Sequence, residues 1–217
     1  MRPARLLVPF TLLALVVAAG APARTLAADA VEPEWGQSRG FCAGLEFIVD
    51  GLTIGNSSDP GAPHIDQMGS GLALAGGYSF SPHFHTRLML GSTRHSTSVA
   101  GLDVMRAVAT IDAQYRFLPG RQVCPYIMGS LGGGDLRADQ GGDHVKFSSS
   151  TAGVGGGLRV GLTRHVVMDV GARLEVVNWK DAAWSRDLPG GGSLQYQTAV
   201  EQSGGSSRLE LGWLWQF

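Results

Sequence analysis

The chain has 217 residues, 18 of them acidic and 17 basic, for a net charge of −1 with only 16% of residues charged. That length suits one domain or two small ones, and the balanced charge excludes the basic footprint that nucleic-acid binding requires. Glycine stands out at 32 residues, about twice the usual fraction, with no collagen-like period.

The first thirty residues read as a leader rather than as part of the fold. Arg2 and Arg5 precede an apolar stretch from Leu6 to Gly20, and Ala-rich sequence with A-x-A-like sites follows. This is the layout of a secretory signal peptide, with cleavage after either Ala28 or Ala30 fitting the pattern. A retained anchor would need about 20 apolar residues, and Pro9 interrupts this run. The expected division is therefore a signal peptide at 1–30, a lead-in at 31–40 and one folded domain at 41–217. No later stretch approaches the length of a membrane-spanning helix, so any membrane crossing must use strands.

From Phe41 the apolar residues alternate, and side chains on a strand change faces with period 2. Phe41, Ala43, Leu45, Phe47 and Val49 share one face of the first segment, and a polar gap at 55–67 follows it. The second segment, 69–80, carries Leu72, Leu74, Tyr78 and Phe80 on one face. A short Ser81-Pro82-His83 turn leads to Phe84, Thr86, Leu88 and Leu90, and a polar gap runs from 92 to 103. The fourth segment alternates without a break from Met105 to Phe117. A Leu118-Pro119-Gly120 turn opens the fifth, VCPYIMGSLGGG, with Ile127 and Leu131 placed outside and Ser130 and Gly132 inside. A gap at 135–146 precedes the sixth segment, 152–163. The turn at Arg164 and His165 joins it to the seventh, 166–177, and the longest gap, 180–205, precedes the last. That final segment ends SRLELGWLWQF, with Leu209, Leu211, Trp213, Trp215 and Phe217 on one face.

The pattern predicts an all-β fold: an eight-stranded antiparallel up-and-down transmembrane β-barrel with connections alternating long and short. Strands of roughly 10 to 13 residues exceed the soluble mode of about 5 to 6 and match tilted membrane strands. Tyr78, Phe80, Phe84, Tyr115, Phe117, Tyr126, Trp215 and Phe217 cluster at the short-turn end, and Phe147, Trp179 and Trp184 at the long-loop end. Two aromatic girdles of this kind mark transmembrane barrels. The opposite face carries Glu46, Asp50, Arg87, Arg106, Asp112, Arg116, Arg159, Asp169, Arg173, Glu175, Arg208 and Glu210, six acids and six arginines. Balanced ion pairs, with glycines making room for them, would fill a lumen only wide enough for side chains.

The leader, the GLALAGGYSFSPHFHTRLML hairpin, the PYIMGSLGGG strand and the terminal WLWQF together resemble the OmpA-like, eight-stranded outer-membrane β-barrel family, over roughly Phe41 to Phe217. The resemblance implies export to the outer membrane of a Gram-negative-type bacterium. It also implies contact with outer-membrane lipid and lipopolysaccharide, and a monomeric state. Trp213, Trp215 and Phe217 look like the signal read by the barrel-assembly machinery. No peptidoglycan-binding domain follows, which departs from two-domain members and leaves the barrel as the expected mature protein.

No constellation argues for catalysis. Asp169, Arg173 and Glu175 would suit a catalytic or conducting cluster, but balanced charges spread over most strands suit a structural ion-pair network better, because a selective pore concentrates one sign. Lipid A deacylases among such barrels would suggest a His-x-Ser pair with an orienting Glu, and this chain offers only His95-Ser96-Thr97-Ser98. His64, His95 and His144, one per outer loop, would suit a metal only if they converged; solvated loop histidines are the plainer expectation. His83 and His85 read as interfacial. The Gly-rich runs lack the fingerprints of nucleotide-binding loops, so no cofactor is expected. Cys42 and Cys124 would both meet an oxidising space near the same end of the barrel, a candidate disulfide. Strands one and five lie opposite each other, however, and a bridge needs Cα atoms within about 7 Å. The expected role is structural or surface-interacting, through the outer loops. The alternatives are a narrow channel for small or hydrophobic solutes and a lipid-modifying enzyme.

Overall fold

A computed structural model describes residues 39–53, 65–97, 100–189 and 191–217. The expected leader and its cleavage sites lie outside these residues, as does His64. Eight strands follow one another: β1 (Gly40–Thr53), β2 (Ile65–Ser79), β3 (Phe84–Thr97), β4 (Asp103–Arg116), β5 (Val123–Gln140), β6 (Asp143–Gly161), β7 (Val166–Asp187) and β8 (Ser193–Gln216). Each pairs antiparallel with the next, and β8 returns to β1 to close the barrel. Closure runs from Cys42 opposite Gln216 to Thr53 opposite Gly205. No sheet edge is left within this span, as a hydrocarbon environment demands.

Alternation decides the two faces. Along β4 every second residue from Val104 to Arg116 is buried, and the residues between them are exposed. The exposed set around the barrel is apolar: Leu45, Leu72, Leu74, Leu88, Leu90, Ile111, Ile127, Leu131, Val154, Leu174, Leu211 and Trp213. A soluble protein would bury such a surface; lipid accepts it. At the end with the short turns, at 80–83, 117–122 and 162–165, aromatic rings touch in a chain. Phe41 meets Tyr78 at 4.8 Å, Tyr78 meets Phe80 at 5.0 Å, and Phe80 meets Phe84 at 6.0 Å.

The other end departs from the sequence reading. The gaps at 92–103, 135–146 and 180–205 are largely strand. β5 and β6 meet at a two-residue hairpin, Gly141 and Gly142, both at positive φ (57° and 91°), which is the backbone that a type I′ turn requires. β7 and β8 reach 22 and 24 residues. Beyond the lipid band both faces meet water, so these extensions need no alternation, and a period-2 search has nothing to detect.

Several inward glycines supply space. A Cβ on Gly157 or on Gly171 would lie 2.7 Å from the Tyr126 hydroxyl oxygen, and one on Gly77 would lie 2.7 Å from His85 Nε2. Large inward side chains thus stand over bare backbone one or two strands away.

Candidate functional site: a filled lumen and an outer ribbon

The lumen is layered. Nearest the long-strand end, Leu52, Val104, Leu136, Val177 and Trp179 form a buried apolar lid, with Leu102, Ala138 and Phe147 against it. Phe147 meets Trp179 edge to face at 6.3 Å.

Beneath the lid lies the first ionic layer. Arg106 Nη1 donates to Asp50 at 2.5 Å and to Ser206 Oγ at 2.9 Å, and Ser206 donates on to Asp50 at 2.9 Å. Arg208 Nη2 donates to Glu175 at 3.2 Å. The second layer is denser. Arg87 donates to Glu46, to Asp112 through two nitrogens, and to Glu210 at 2.9 Å. Arg173 takes both oxygens of Asp112, each at 2.9 Å, and approaches Glu210 to 2.6 Å. Ile48, Ala73, Met89 and Val108 form a small apolar patch on the wall. At the turn end is a floor, where Arg159 donates to Asp169 at 3.0 Å and to Gln114 at 2.7 Å, and Tyr126 donates to Asp169 at 2.6 Å.

All twelve charged residues singled out in the sequence therefore point inward, none more than 4% exposed. An unpaired buried ion costs several kcal/mol, so charges of this number persist only with close partners. Leu209, Leu211, Trp213, Trp215 and Phe217 point outward. Phe217 donates its backbone N–H to Phe41 at 2.9 Å, which ties the terminus to the first strand.

Other sequence expectations require correction. Tyr126, at 2% exposure, and Trp179, at 5%, belong to the lumen and not to the girdles; Phe147 packs against the lid with Trp179. His85 is fully buried, its Nδ1 3.1 Å from Ser79 Oγ and its Nε2 3.7 Å from Cys42 Sγ. His95 is lumenal too, with Nε2 3.3 Å from Thr93 Oγ1. His83 alone of the turn-end pair is interfacial, stacked on Tyr115 at 5.6 Å. His95 and His144 consequently do not share a site. Cys42 and Cys124 are both free. They sit on strands four places apart around the ring, with Cys42 beside His85 and Cys124 Sγ 3.8 Å from the Pro125 carbonyl. The Cys42–His85–Ser79 row is buried in the lumen.

The other feature is the ribbon formed by the outer parts of β5 to β8. Arg186 clamps both oxygens of Asp143, at 2.5 and 2.6 Å, and Asp187 N–H donates to Gly142 at 3.0 Å. The two hairpins are thereby joined. His144 Nδ1 lies 2.7 Å from Asp139 and its Nε2 lies 3.5 Å from Asp187. Its hydrogen bond to Asp139 holds its pKa above the usual imidazole value, and the Arg186 hydrogen bond holds Asp143 below the usual carboxylate value. Among the described residues, Ser193–Gly204 of β8 is paired only with β7. Leu194 and Tyr196 on this stretch are 52% and 65% exposed.

An outward apolar band, a turn-end aromatic girdle and a filled polar lumen define an integral membrane β-barrel. The chain belongs to the outer membrane protein beta-barrel domain family, whose model matches residues 10–200, and its place is the outer membrane. No protein of curated function matches it by sequence. Among solved structures it is similar to Neisserial surface protein A (NspA), at 18% identity with a TM-score of 0.57, over 82% of this chain and 97% of that one. It is also similar to OprG from Pseudomonas aeruginosa, at 14% identity and 0.53, over 85% and 98%. A third is Ail, the attachment invasion locus protein of Yersinia pestis, at 14% and 0.52, over 83% and 100%. At these identities the likeness concerns the fold alone.

Proposed function

We propose that the protein works at the cell surface through its outer ribbon, as a non-catalytic contact protein held in place by a structural barrel. The observation that carries this reading is the Ser193–Gly204 stretch of β8, which among the described residues pairs only with β7 and exposes Leu194 and Tyr196. An unpaired edge offers a row of N–H and C=O groups to an added strand, with side-chain contacts supplying selectivity. Ail, named for attachment and invasion, gives a precedent on the same fold. A channel is the weaker reading, because the apolar lid and both ionic layers stand across the lumen. In this view the lumenal network sets register and rigidity, and Trp213, Trp215 and Phe217 guide assembly in the membrane. The test displays the protein on cells and measures retention on immobilised extracellular proteins. Thr198→Pro with Tyr196→Ser, which blunts the edge, is expected to abolish retention at unchanged surface level. Undiminished retention would overturn the proposal.

A further inference from the structure

The register places one row of outward cations across four strands at the long-strand end. Arg94 on β3 is the Cα partner of Met105 on β4, Met105 of Arg137 on β5, and Arg137 of Lys146 on β6. All four are exposed, on the face that bears Leu88, Ile111 and Leu131 lower on the same strands. With neighbouring strands about 4.8 Å apart, the three cations share a row about 14 Å wide. Like charges directly opposite each other on paired strands, as Arg137 and Lys146 are, destabilise a sheet unless an anion lies between them.

The carboxylates nearby are engaged. Asp103 takes Arg94 at 2.8 Å, and Asp135 takes Lys146 and the Ser148 hydroxyl, each at 3.0 Å. Asp139 lies 2.7 Å from His144. Arg137 stands between Asp135 and Asp139 on its own strand and, among the described residues, forms no ion pair of its own. Cations on a lipid-facing wall are tolerated where the hydrocarbon ends, and short turns mark the periplasmic side of such barrels. The row therefore lies at the level of the outer leaflet's head groups.

Directly beneath the row the wall is hollow. An open groove of about 850 Å³ runs between Leu74 and Leu90 on one side and Ser148 on the other, floored by Ala107, Ala109 and Gly133. Its upper end reaches Asp135, one register row below Arg137.

We propose that this wall is a binding site for one anionic, phosphate-bearing lipid of the outer leaflet, its phosphate on Arg137 between Arg94 and Lys146 and an acyl chain in the groove. Phosphate supplies the paired acceptors that a guanidinium fork matches and that Arg137 lacks. The chain fills a hollow whose small side chains leave room for it, and the apolar lining selects a lipid over a free anion. The site is separate from the β8 edge, so either reading can fail without the other.

The test uses the full chain folded in neutral detergent micelles and verified by its folded gel band. Diphosphoryl lipid A and phosphatidylcholine are titrated in turn, and bound lipid is counted by native mass spectrometry. One lipid A per barrel is expected, in clear preference to phosphatidylcholine, and excess inorganic phosphate should not displace it. Arg137→Gln is expected to weaken it about fivefold, the usual effect of one basic residue at an anionic lipid surface, and Arg137→Lys to restore most of the loss. Ala109→Trp, which fills the groove and leaves the cations in place, should also weaken it. Arg121→Gln, exposed at the turn end, should leave it unchanged. Equal binding of the two lipids, undiminished binding by folded Arg137→Gln or Ala109→Trp, an equal loss in Arg121→Gln, or displacement by free phosphate would each overturn the proposal.

Discussion

Truncating Trp179 to alanine should loosen the lid and destabilise the barrel by about 3–5 kcal/mol, the usual range for emptying a buried Trp or Phe site. Two routes lead to that magnitude. An indole buries about 200 Å², which at about 25 cal/mol per Å² amounts to about 5 kcal/mol. The edge-on contact with Phe147 contributes a further 0.5–1.5 kcal/mol by typical measurements of ~6 Å aromatic pairs. Against this, Trp179 Nε1 has no hydrogen-bond partner among the described residues, so part of the gain offsets a desolvated donor. The assay is urea unfolding in lipid vesicles, followed by the folded gel band because the substitution removes a fluorophore. Trp184, which contacts Arg186 on the ribbon at 5.4 Å, is the control, and its alanine variant should lose less than about 1 kcal/mol, in the range of exposed cation–π pairs. Equal losses from the two variants, or a Trp179 loss below about 1 kcal/mol, would refute the packed lid.

Three further outcomes follow from the layers and the ribbon. Arg173→Met leaves Asp112 and Glu210 to share Arg87 and should cost about 3–5 kcal/mol in the same unfolding assay, as breaking a buried pair does; a change under about 1 kcal/mol would contradict the network. Deleting Phe217 removes its ring and its bond to Phe41, and should lower outer-membrane yield more than Tyr196→Ser does, as judged by fractionation; equal yields would remove its assembly role. His144 titrates above its unfolded value, so its contribution to the ribbon is complete below the unfolded pKa and is lost as pH rises through the folded one. Hydrogen exchange at Gly141 and Gly142 should therefore quicken with pH beyond its intrinsic rise, and His144→Gln should abolish that excess.

The two faces of the barrel were legible because lipid and lumen make opposite demands on alternate residues. Leu209 to Phe217 on one side, and Arg208 and Glu210 on the other, carry the contrast in the sequence itself. The ribbon was not legible, because outside the bilayer that contrast disappears and Lys180, Asp181 and Ser185 read as loop. The lid is hard to read in the sequence for a different reason. Trp179 lies near a strand end, where an aromatic residue suits either a girdle or a lumen. Its phase was the better guide, since Trp179 is in step with Asp169, Arg173, Glu175 and Val177, all inward. The same parity applies to His85 and His95, in step with Arg87, and to Tyr126, in step with Ser130. The pairing of arginines with carboxylates was beyond sequence reach, because it depends on which long side chains meet across the ring.

The central claim is that the lumen is closed and the barrel serves as a support, and single-channel recording in planar bilayers tests it most directly. The intact protein, inserted and verified by its folded gel band, should give no stepwise conductance above the bare membrane. Regular steps from the intact protein would contradict the closed lumen and transfer the function from the ribbon to the pore.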